Sequence, residues 1–270
     1  MTGDGTGVPF GFAAYEPERR RRRRAWPWIL TLVIVAALVA GAAVGAEALA
    51  RGAVQGGVRQ LVVAQVDLPA DQPVDVEVPG LVIPQLLSGR LDAVDVSSPD
   101  VAVGPLTGDV AVRLTDVPIG ADAAAGPGTA QVRLDADQLR VLLGTIDDFP
   151  ADTVALAAPD VTISRALSVL GVSIPVGVSL QPGAADGRLV LTPSAFRIGD
   201  AQVSADDLRS RFGGVADAVL REWNVCIAAD IPAALTLTGA SVVGDQVVAD
   251  FAIDGAVVVD PALRANGACG

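Results

Sequence analysis

Six consecutive arginines, residues 19–24, are followed by a segment without any charged residue, residues 25–46. Its 22 positions are dominated by Trp, Ile, Leu, Val, Ala and Gly, and about 20 such residues allow a helix to cross the hydrocarbon core of a bilayer. Because arginines beside a membrane span stay on the cytoplasmic side, the sequence predicts a cytoplasmic N-terminus. Everything after the segment is expected outside the cytoplasm.

This pattern divides the chain into three parts. Residues 1–24 are expected to be a disordered, basic cytoplasmic tail, residues 25–46 a transmembrane helix, and residues 47–270 an extracytoplasmic domain. The protein is therefore expected in the cell membrane as a single-pass protein. The expected membrane-interface residues are Arg19, Arg24, Trp26 and Trp28.

A cleaved signal peptide is the alternative for the apolar segment. A basic region and an apolar region precede Val44-Gly45-Ala46, a small-residue site of the kind that signal peptidases accept. The apolar run is longer than the 7 to 15 residues usual for a signal peptide, which favours an anchor. In both alternatives the mature domain lies outside the cytoplasm.

Composition narrows the function of the exported domain. Three of the 31 acidic residues and six of the 19 basic residues precede it, which leaves 28 against 13 and a net charge of −15. Such a surface repels nucleic acid. The chain has no histidine, so a Ser-His-Asp or Cys-His nucleophile cannot be assembled, and two cysteines alone make no ordinary zinc site. We expect no enzyme, no metal and no cofactor.

Paired carboxylates, as in glycoside hydrolysis, are the catalytic chemistry that remains. Asp147-Asp148 and Asp206-Asp207 are adjacent pairs, but neighbours on a strand point to opposite faces, and both pairs lie beside turn or capping signals. We interpret them as solvated or capping residues and assign no catalytic residue. A carboxylate-dependent hydrolase of wall glycans is the weaker alternative, and it requires two acids facing one cleft.

Cys226 and Cys269 are the only thiols of the chain. An even pair in an oxidising compartment indicates a disulfide, and closing this loop constrains the unfolded chain by roughly 4 kcal/mol on the loop-entropy model. Two independent thiols are the alternative.

The exported domain begins with helical composition and then changes to strands. Residues 47–66 continue the helix, although Gly52, Gly56 and Gly57 weaken it. After Pro69, apolar residues alternate with polar ones, which is typical of antiparallel strands with one buried face. Strands are predicted around residues 74–78, 110–114, 174–180 and 247–253, with hairpin turns at Gly244-Asp245 and at residues 184–187.

Few helices interrupt the strands. Short helices are predicted to begin at Asp135 and at Ser204, where a capping residue, acids in the first turn and a final glycine recur. Each follows Ala-Gln-Val, so a strand-then-helix unit is predicted twice. A further short helix is expected over residues 216–221.

Two apolar, turn-forming motifs stand out: VPGLVIPQLLSG at residues 78–89, and IPAALTLT at residues 231–238 before a hairpin. With these motifs and many short alternating strands, residues 47–259 resemble the LmeA-type phospholipid-binding family of actinobacteria. The resemblance implies a long helix packed on a strongly curved antiparallel sheet, similar to tubular lipid-binding domains, with an apolar groove for acyl chains. It also implies work in the cell envelope.

The expected fold class is therefore α+β and strand-dominated, with an N-terminal transmembrane helix, a long helix on a strongly curved antiparallel sheet, and a few short helices. Small aliphatic residues on such a sheet leave room for a chain-like ligand, although they fill an ordinary core equally well. Trp223 either contacts lipid at the groove rim or packs near Cys226. The lipid-binding groove candidates are Leu81, Ile83, Leu86, Leu87, Val176, Val178, Leu235, Leu237, Phe251 and Ile253.

We expect a membrane-anchored, extracytoplasmic phospholipid-binding or lipid-transfer protein of the cell envelope that catalyses no reaction. Its expected partners are phospholipid, the bilayer and envelope enzymes, and not nucleic acid. The alternative is a structural scaffold whose sheet edges recruit envelope proteins, and an exposed apolar patch without a groove is its sign.

Overall fold

The computed structural model describes residues 26–66, 69, 71–103, 106–120, 123–144, 151–169, 172–199, 201–217 and 220–268. The chain divides into two compact units, Met1–Gly45 and Ala46–Gly270. The described α-helices are α1 (Trp26–Val66), α2 (Val82–Ser88), α3 (Ala136–Leu143), α4 (Ala205–Phe212) and α5 (Gly214–Asp217). The described strands are β1 (Asp75–Glu77), β2 (Arg90–Val103), β3 (Leu106–Pro118), β4 (Gly128–Asp135), β5 (Ala155–Ala157), β6 (Asp160–Val169), β7 (Val172–Ala185), β8 (Arg188–Ile198), β9 (Ala201–Ser204), β10 (Trp223–Val225), β11 (Leu235–Val243) and β12 (Gln246–Ile253).

The predicted apolar segment is helical from Trp26 onward, and its large side chains from residue 31 onward are exposed. Within α1, the stretch Thr31–Ala64 reaches a mean hydropathy of 2.3, and none of its most apolar part is buried. Leu32, Leu38 and Val44 are all exposed on it. Among the described residues it is the one helix long and apolar enough to cross a membrane, a test that a signal sequence near the N-terminus also passes.

Packing supports the second half of α1, in which the predicted helix over residues 47–66 is confirmed. The glycines of this part do not interrupt α1. Ala50, Val54, Val58 and Val62 recur every fourth residue, so they form one stripe of the helix. That stripe packs against the buried cluster around Val76 on the first sheet. In proteins such packing contributes more to helix stability than intrinsic propensity does.

The first antiparallel sheet has the strand order β1-β2-β3-β4-β12-β11. Its register aligns one apolar row across all six strands, and the row beside it is largely polar and faces the other way. α1 covers one end of the apolar face and residues of the second sheet cover the other. The apolar row consists of Val76, Val96, Val112, Ala130, Phe251 and Leu237.

The second antiparallel sheet has the order β10-β8-β7-β6-β5, with β9 paired to β8. A bridge between Gly187 and Leu237 joins it to the first sheet, and Ala184 and Leu189 pack against the core around Phe251. The strand-dominated α+β class with an N-terminal apolar helix is therefore confirmed. The strands form two sheets, whereas a single sheet was expected. The strong curvature expected of that sheet stays a prediction.

Both predicted hairpins are present. Val243 pairs with Gln246 across Gly244-Asp245, and Ala185 pairs with Arg188 across Asp186-Gly187. Asp186 and Gly187 have φ angles of 52° and 72°, the left-handed values that a two-residue type I′ turn requires at both central positions.

The repeated strand-then-helix unit is also present. β4 leads into α3 and β9 leads into α4. The Asp135 carboxylate accepts a hydrogen bond from the backbone N–H of Gln138 at 2.8 Å, and the Ser204 hydroxyl accepts one from that of Asp207 at 3.1 Å. Both helices begin where their capping residues predicted.

The helix expected over residues 216–221 begins earlier. The described helix there is α5, which starts directly after Gly213. Gly213, with φ of 53°, ends α4 and lets the next helix begin at once. Trp223 is already in β10, paired with Leu191, so the chain is extended at this point.

Candidate functional site

One face of β7 runs from the core of the domain into an open groove. Side chains alternate along a strand, so Val176, Val178, Leu180 and Ala184 share that face. Ala184 packs against the core at the hairpin end, and Leu180 is buried. Val176 and Val178 line an open cavity. The apolar face that forms the core at one end of β7 is therefore uncovered at the other.

A β-bulge at Ser194 changes the register between β7 and β8. Ala195 pairs with Ser179, whereas Pro193 pairs with Leu180, so Ser194 is the extra residue on β8. The Ser194 hydroxyl lies 3.2 Å from the backbone oxygen of Ser179. A bulge of this kind re-aims the side chains that follow it.

The bulge determines which residues of β8 face the groove. Beyond it, Phe196 pairs with Val178 and Ile198 pairs with Val176, and paired residues share a face of the sheet. A one-residue difference in register exchanges the two faces of a strand, so without the bulge Arg197 would lie on the apolar side. The bulge therefore supplies two large apolar side chains to the groove.

Two short helices form one wall of the groove. Ala205, Ala216 and Leu220 are buried and pack together with Phe196 and Leu208. This cluster holds α4 and α5 on the sheet. Trp223 of β10 also lines the groove and is half-exposed.

Two adjoining cavities make up the groove, and Val176 and Phe196 line both. Their volumes are about 300 Å³ and 320 Å³, at the lower end of the range for small-molecule sites. The first is lined by Ile163, Ser164, Arg165, Val176, Gly177, Val178, Pro193, Phe196 and Trp223. The second is lined by Val176, Phe196, Ile198, Ala201, Val203, Leu208, Phe212 and Ala216. Almost all of these residues are apolar.

Arg165 is the one charged residue among the described residues that line the groove. It pairs with Val176, so its side chain emerges on the apolar face, and it is exposed. A guanidinium beside an apolar surface offers five hydrogen-bond donors with a geometry that matches phosphate. The groove thus combines an apolar floor with one cationic edge, which suits an amphipathic, anionic ligand.

Of the ten predicted groove residues, the structure brings Val176 and Val178 to this site. Four others share the apolar face of the first sheet, where the second sheet covers them, and they contribute to the core between the sheets: Leu235, Leu237, Phe251 and Ile253. The remaining four lie at α2, outside the groove: Leu81, Ile83, Leu86 and Leu87.

Sequence reasoning missed most of the groove wall, including Phe196, Ile198, Leu208 and Phe212. The sequence pattern indicates the two residues on α4 but not the two on β8. Leu208 and Phe212 are four residues apart on α4, so they lie on one face of that helix. Phe196 and Ile198 alternate with Arg197, but the strand pattern alone does not reveal the bulge that decides which face they occupy.

The other predicted sites are placed as follows. Trp223 lines the groove, and its contact with lipid at the rim stays a prediction. Cys226 is disulfide-bonded, whereas Cys269 lies outside the described residues, so their pairing stays a prediction. The predicted interface residues Arg19 and Arg24 also lie outside the described residues, and Trp26 and Trp28 belong to α1.

A larger and polar cleft of about 570 Å³ lies on the first sheet. Its lining includes Asp75, Glu77, Asp95 and Asp250, and the Arg113 guanidinium pairs with Asp95 at 3.1 Å. Within the part of the chain that the structure describes, no group of three or more His, Cys, Asp or Glu side chains is arranged to hold a metal. The polarity of this cleft does not suit an apolar ligand.

Of the two predicted carboxylate pairs, the structure describes Asp206 and Asp207, which line neither the apolar groove nor the polar cleft. Asp206 and Asp207 occupy the first turn of α4. The Ser204 hydroxyl lies 2.8 Å from an Asp207 carboxylate oxygen, and Asp206 pairs with Arg209 at 3.2 Å. The first contact belongs to the N-cap of α4, and the second is an ion pair within the helix. Asp147 and Asp148 lie outside the described residues.

Comparison with known proteins agrees with the chemistry of the groove. Residues 42–252 match the model of the family described as LmeA-like phospholipid-binding. No curated protein and no solved structure matches the chain significantly. The matched residues include the second half of α1, α2 and every residue that lines the apolar groove. Because the match covers most of the sequence, the chain belongs to the LmeA-like phospholipid-binding family.

Proposed function

We propose that this protein binds a phospholipid in the groove of the second sheet, with an acyl chain along Val176 and Phe196 and the phosphate at Arg165. It acts as a membrane-anchored protein outside the cytoplasm that holds or transfers lipid and catalyses no reaction. The observation that carries the proposal is the pair of adjoining apolar cavities, which share Val176 and Phe196 and have one cationic edge.

The apolar lining is sufficient to supply useful affinity. Removing one methylene from water is worth about 0.8 kcal/mol. Contact with some 10 to 12 methylenes of an acyl chain therefore gives about 8 to 10 kcal/mol before the costs of association. Those costs are about 4 kcal/mol or more, which leaves at most about 6 kcal/mol, an affinity in the range of tens of micromolar to millimolar. Exposed aromatic side chains of Phe212 and Trp223 add contact area at the groove edges.

The anchor complements a domain with this charge. With a net charge of −15, the exported part is repelled by anionic headgroups at long range. A transmembrane helix keeps the groove beside the bilayer despite that repulsion, because the tether raises the effective concentration of membrane lipid at the groove. Envelope enzymes are the proposed donors or acceptors of the lipid.

Photo-crosslinking of the full chain with a phospholipid that carries a photoactivatable acyl chain tests the proposal. Ile198→Asp is the test variant, because Ile198 lines the groove and is 62% exposed. Val243→Asp is its control, because Val243 is 61% exposed on β11 and does not line the groove. Both variants place the same charge on an equally exposed strand residue and retain the anchor.

Adducts of the wild-type chain are expected on β7, β8 and α4. A carboxylate against the acyl chain loses hydration, and a penalty of 1.4 kcal/mol already corresponds to about a tenfold loss. We therefore expect at least a tenfold loss of adducts for Ile198→Asp and wild-type labelling for Val243→Asp. Equal labelling of both variants would overturn the proposal, and capture of an envelope protein instead of lipid would support a scaffold.

A further inference from the structure

The first turn after the apolar segment of α1 is bonded directly to α2. The Glu47 carboxylate accepts hydrogen bonds from the backbone N–H groups of Val82 at 2.5 Å and Ile83 at 3.1 Å. Arg51 pairs with Glu47 at 3.1 Å and donates to the backbone oxygen of Gly80 at 2.6 Å. These contacts hold the start of α2 beside Glu47.

Glu47 marks the level at which the hydrocarbon of a membrane would end. The charge-free segment has 22 residues, which measure about 33 Å as a helix, against about 30 Å for the hydrocarbon core. Glu47 is the next residue along the chain and the first with a charge. Its carboxylate is compensated by Arg51 and by two backbone donors, as is expected of a charged group at the membrane boundary.

The side of α2 that does not pack on the sheet is apolar and exposed. Val82 and Gln85 are the buried residues of this helix, and none of its residues is charged. Leu87 is 84% exposed and Leu81, at the N-cap, is 64% exposed. Half-exposed Ile119 lies next to the end of α2, where its N–H donates to the backbone oxygen of Gly89.

A cluster of this composition is unusual on a surface that faces only water. Single exposed leucines need no explanation, whereas a group of them without charged neighbours on the same element indicates a binding surface. Leu81 is adjacent to the bonded Val82, and α2 is only about 10 Å long. The exposed residues of α2 therefore lie within roughly 10 Å of the residue that is bonded to Glu47.

We propose that α2 is a membrane-docking element whose Leu81 and Leu87 insert at the boundary between headgroups and acyl chains on the side of the exported domain. The inference rests on the membrane anchor of the proposed function, and it assigns these residues to the bilayer surface instead of to the groove. Because α2 is bonded to Glu47, the first residue after the charge-free segment, we infer that the bilayer, and not a protein, covers its exposed leucines.

Collisional accessibility of spin labels on the full chain in phosphatidylcholine and phosphatidylglycerol nanodiscs tests this inference. Labels are attached at Leu81→Cys and Leu87→Cys. Val243→Cys is the exposed control on a strand, and Leu38→Cys is the control within the anchor. All four side chains are exposed, so labelling is compatible with folding, which circular dichroism verifies. Oxygen reports contact with lipid, and a water-soluble nickel chelate reports contact with water.

We expect several-fold higher ratios of oxygen to nickel accessibility at positions 81 and 87 than at 243. Ratios at 81 and 87 equal to that at 243, with lipid contact at 38, would overturn the docking and leave the anchor intact. Protection from both reagents would mark a protein-covered face and also overturn it. Nickel access at position 38 would overturn the anchor together with the docking, whereas groove crosslinking tests lipid binding independently.

Discussion

The carboxylate of Glu47 and the backbone N–H of Val82 are joined by a hydrogen bond, although 35 residues separate them in sequence. The N–H of Val82, followed by that of Ile83, holds the pKa of Glu47 below its ordinary value of 4.5, and Arg51 acts in the same direction. This contact connects α2 to the first turn after the apolar segment. It also makes the stability of the connection depend on pH.

Glu47→Gln is expected to lower the unfolding temperature of the full chain in detergent at neutral pH, because the amide retains the shape of the side chain but not its charge. A carboxylate whose folded pKa is depressed contributes stability above its unfolded pKa and loses that contribution as pH falls through its folded pKa. The difference in unfolding temperature should therefore be constant at pH values well above the ordinary pKa of 4.5 and should shrink as the pH falls through the lowered pKa of the folded state. Circular dichroism melts measure it, and a difference unchanged in acid would contradict the role of the charge.

Arg165→Gln is expected to weaken binding of phospholipid by about two- to fivefold, the effect of one exposed ionic contact. Binding of a diacylglycerol, which lacks the phosphate, should not change. Arg197→Gln is the matched control, because Arg197 pairs with Gly177 and lies on the opposite face of the same sheet. Displacement of a fluorescent lipid measures the affinity of the wild type and of both variants for each lipid. Equal weakening for diacylglycerol would show that Arg165 contributes packing and not phosphate recognition.

Removal of the Cys226 disulfide is expected to destabilise the folded domain by about 4 kcal/mol on the loop-entropy model. If Cys269 is the partner, Cys226→Ser, Cys269→Ser and the double variant should lose the same stability, because each removes one and the same bond. Urea unfolding of the full chain measures the three losses. Losses that add in the double variant would contradict the pairing.

Local patterns predicted the secondary structure well because they depend on neighbouring residues. Asp135 and Ser204 cap helices from adjacent positions, and Asp186-Gly187 forms its turn with its own φ angles. The groove depends on pairing between distant residues. Val176 and Val178 alternate on one strand and lie at the groove, but Leu237 and Phe251 fit the same alternation and are buried in the core.

The sequence by itself determined the apolar helix, the alternating strands, the two capped helices and the absence of histidine chemistry, since each depends on composition or on residues close in the chain. Tertiary structure decided which apolar faces are covered. Sheet packing buries Leu237, the bulge at Ser194 turns Phe196 into the groove, and Glu47 holds α2 at the end of the apolar segment. Each of these follows from contacts between residues far apart in sequence, and periodicity carries no information on what packs against a given face.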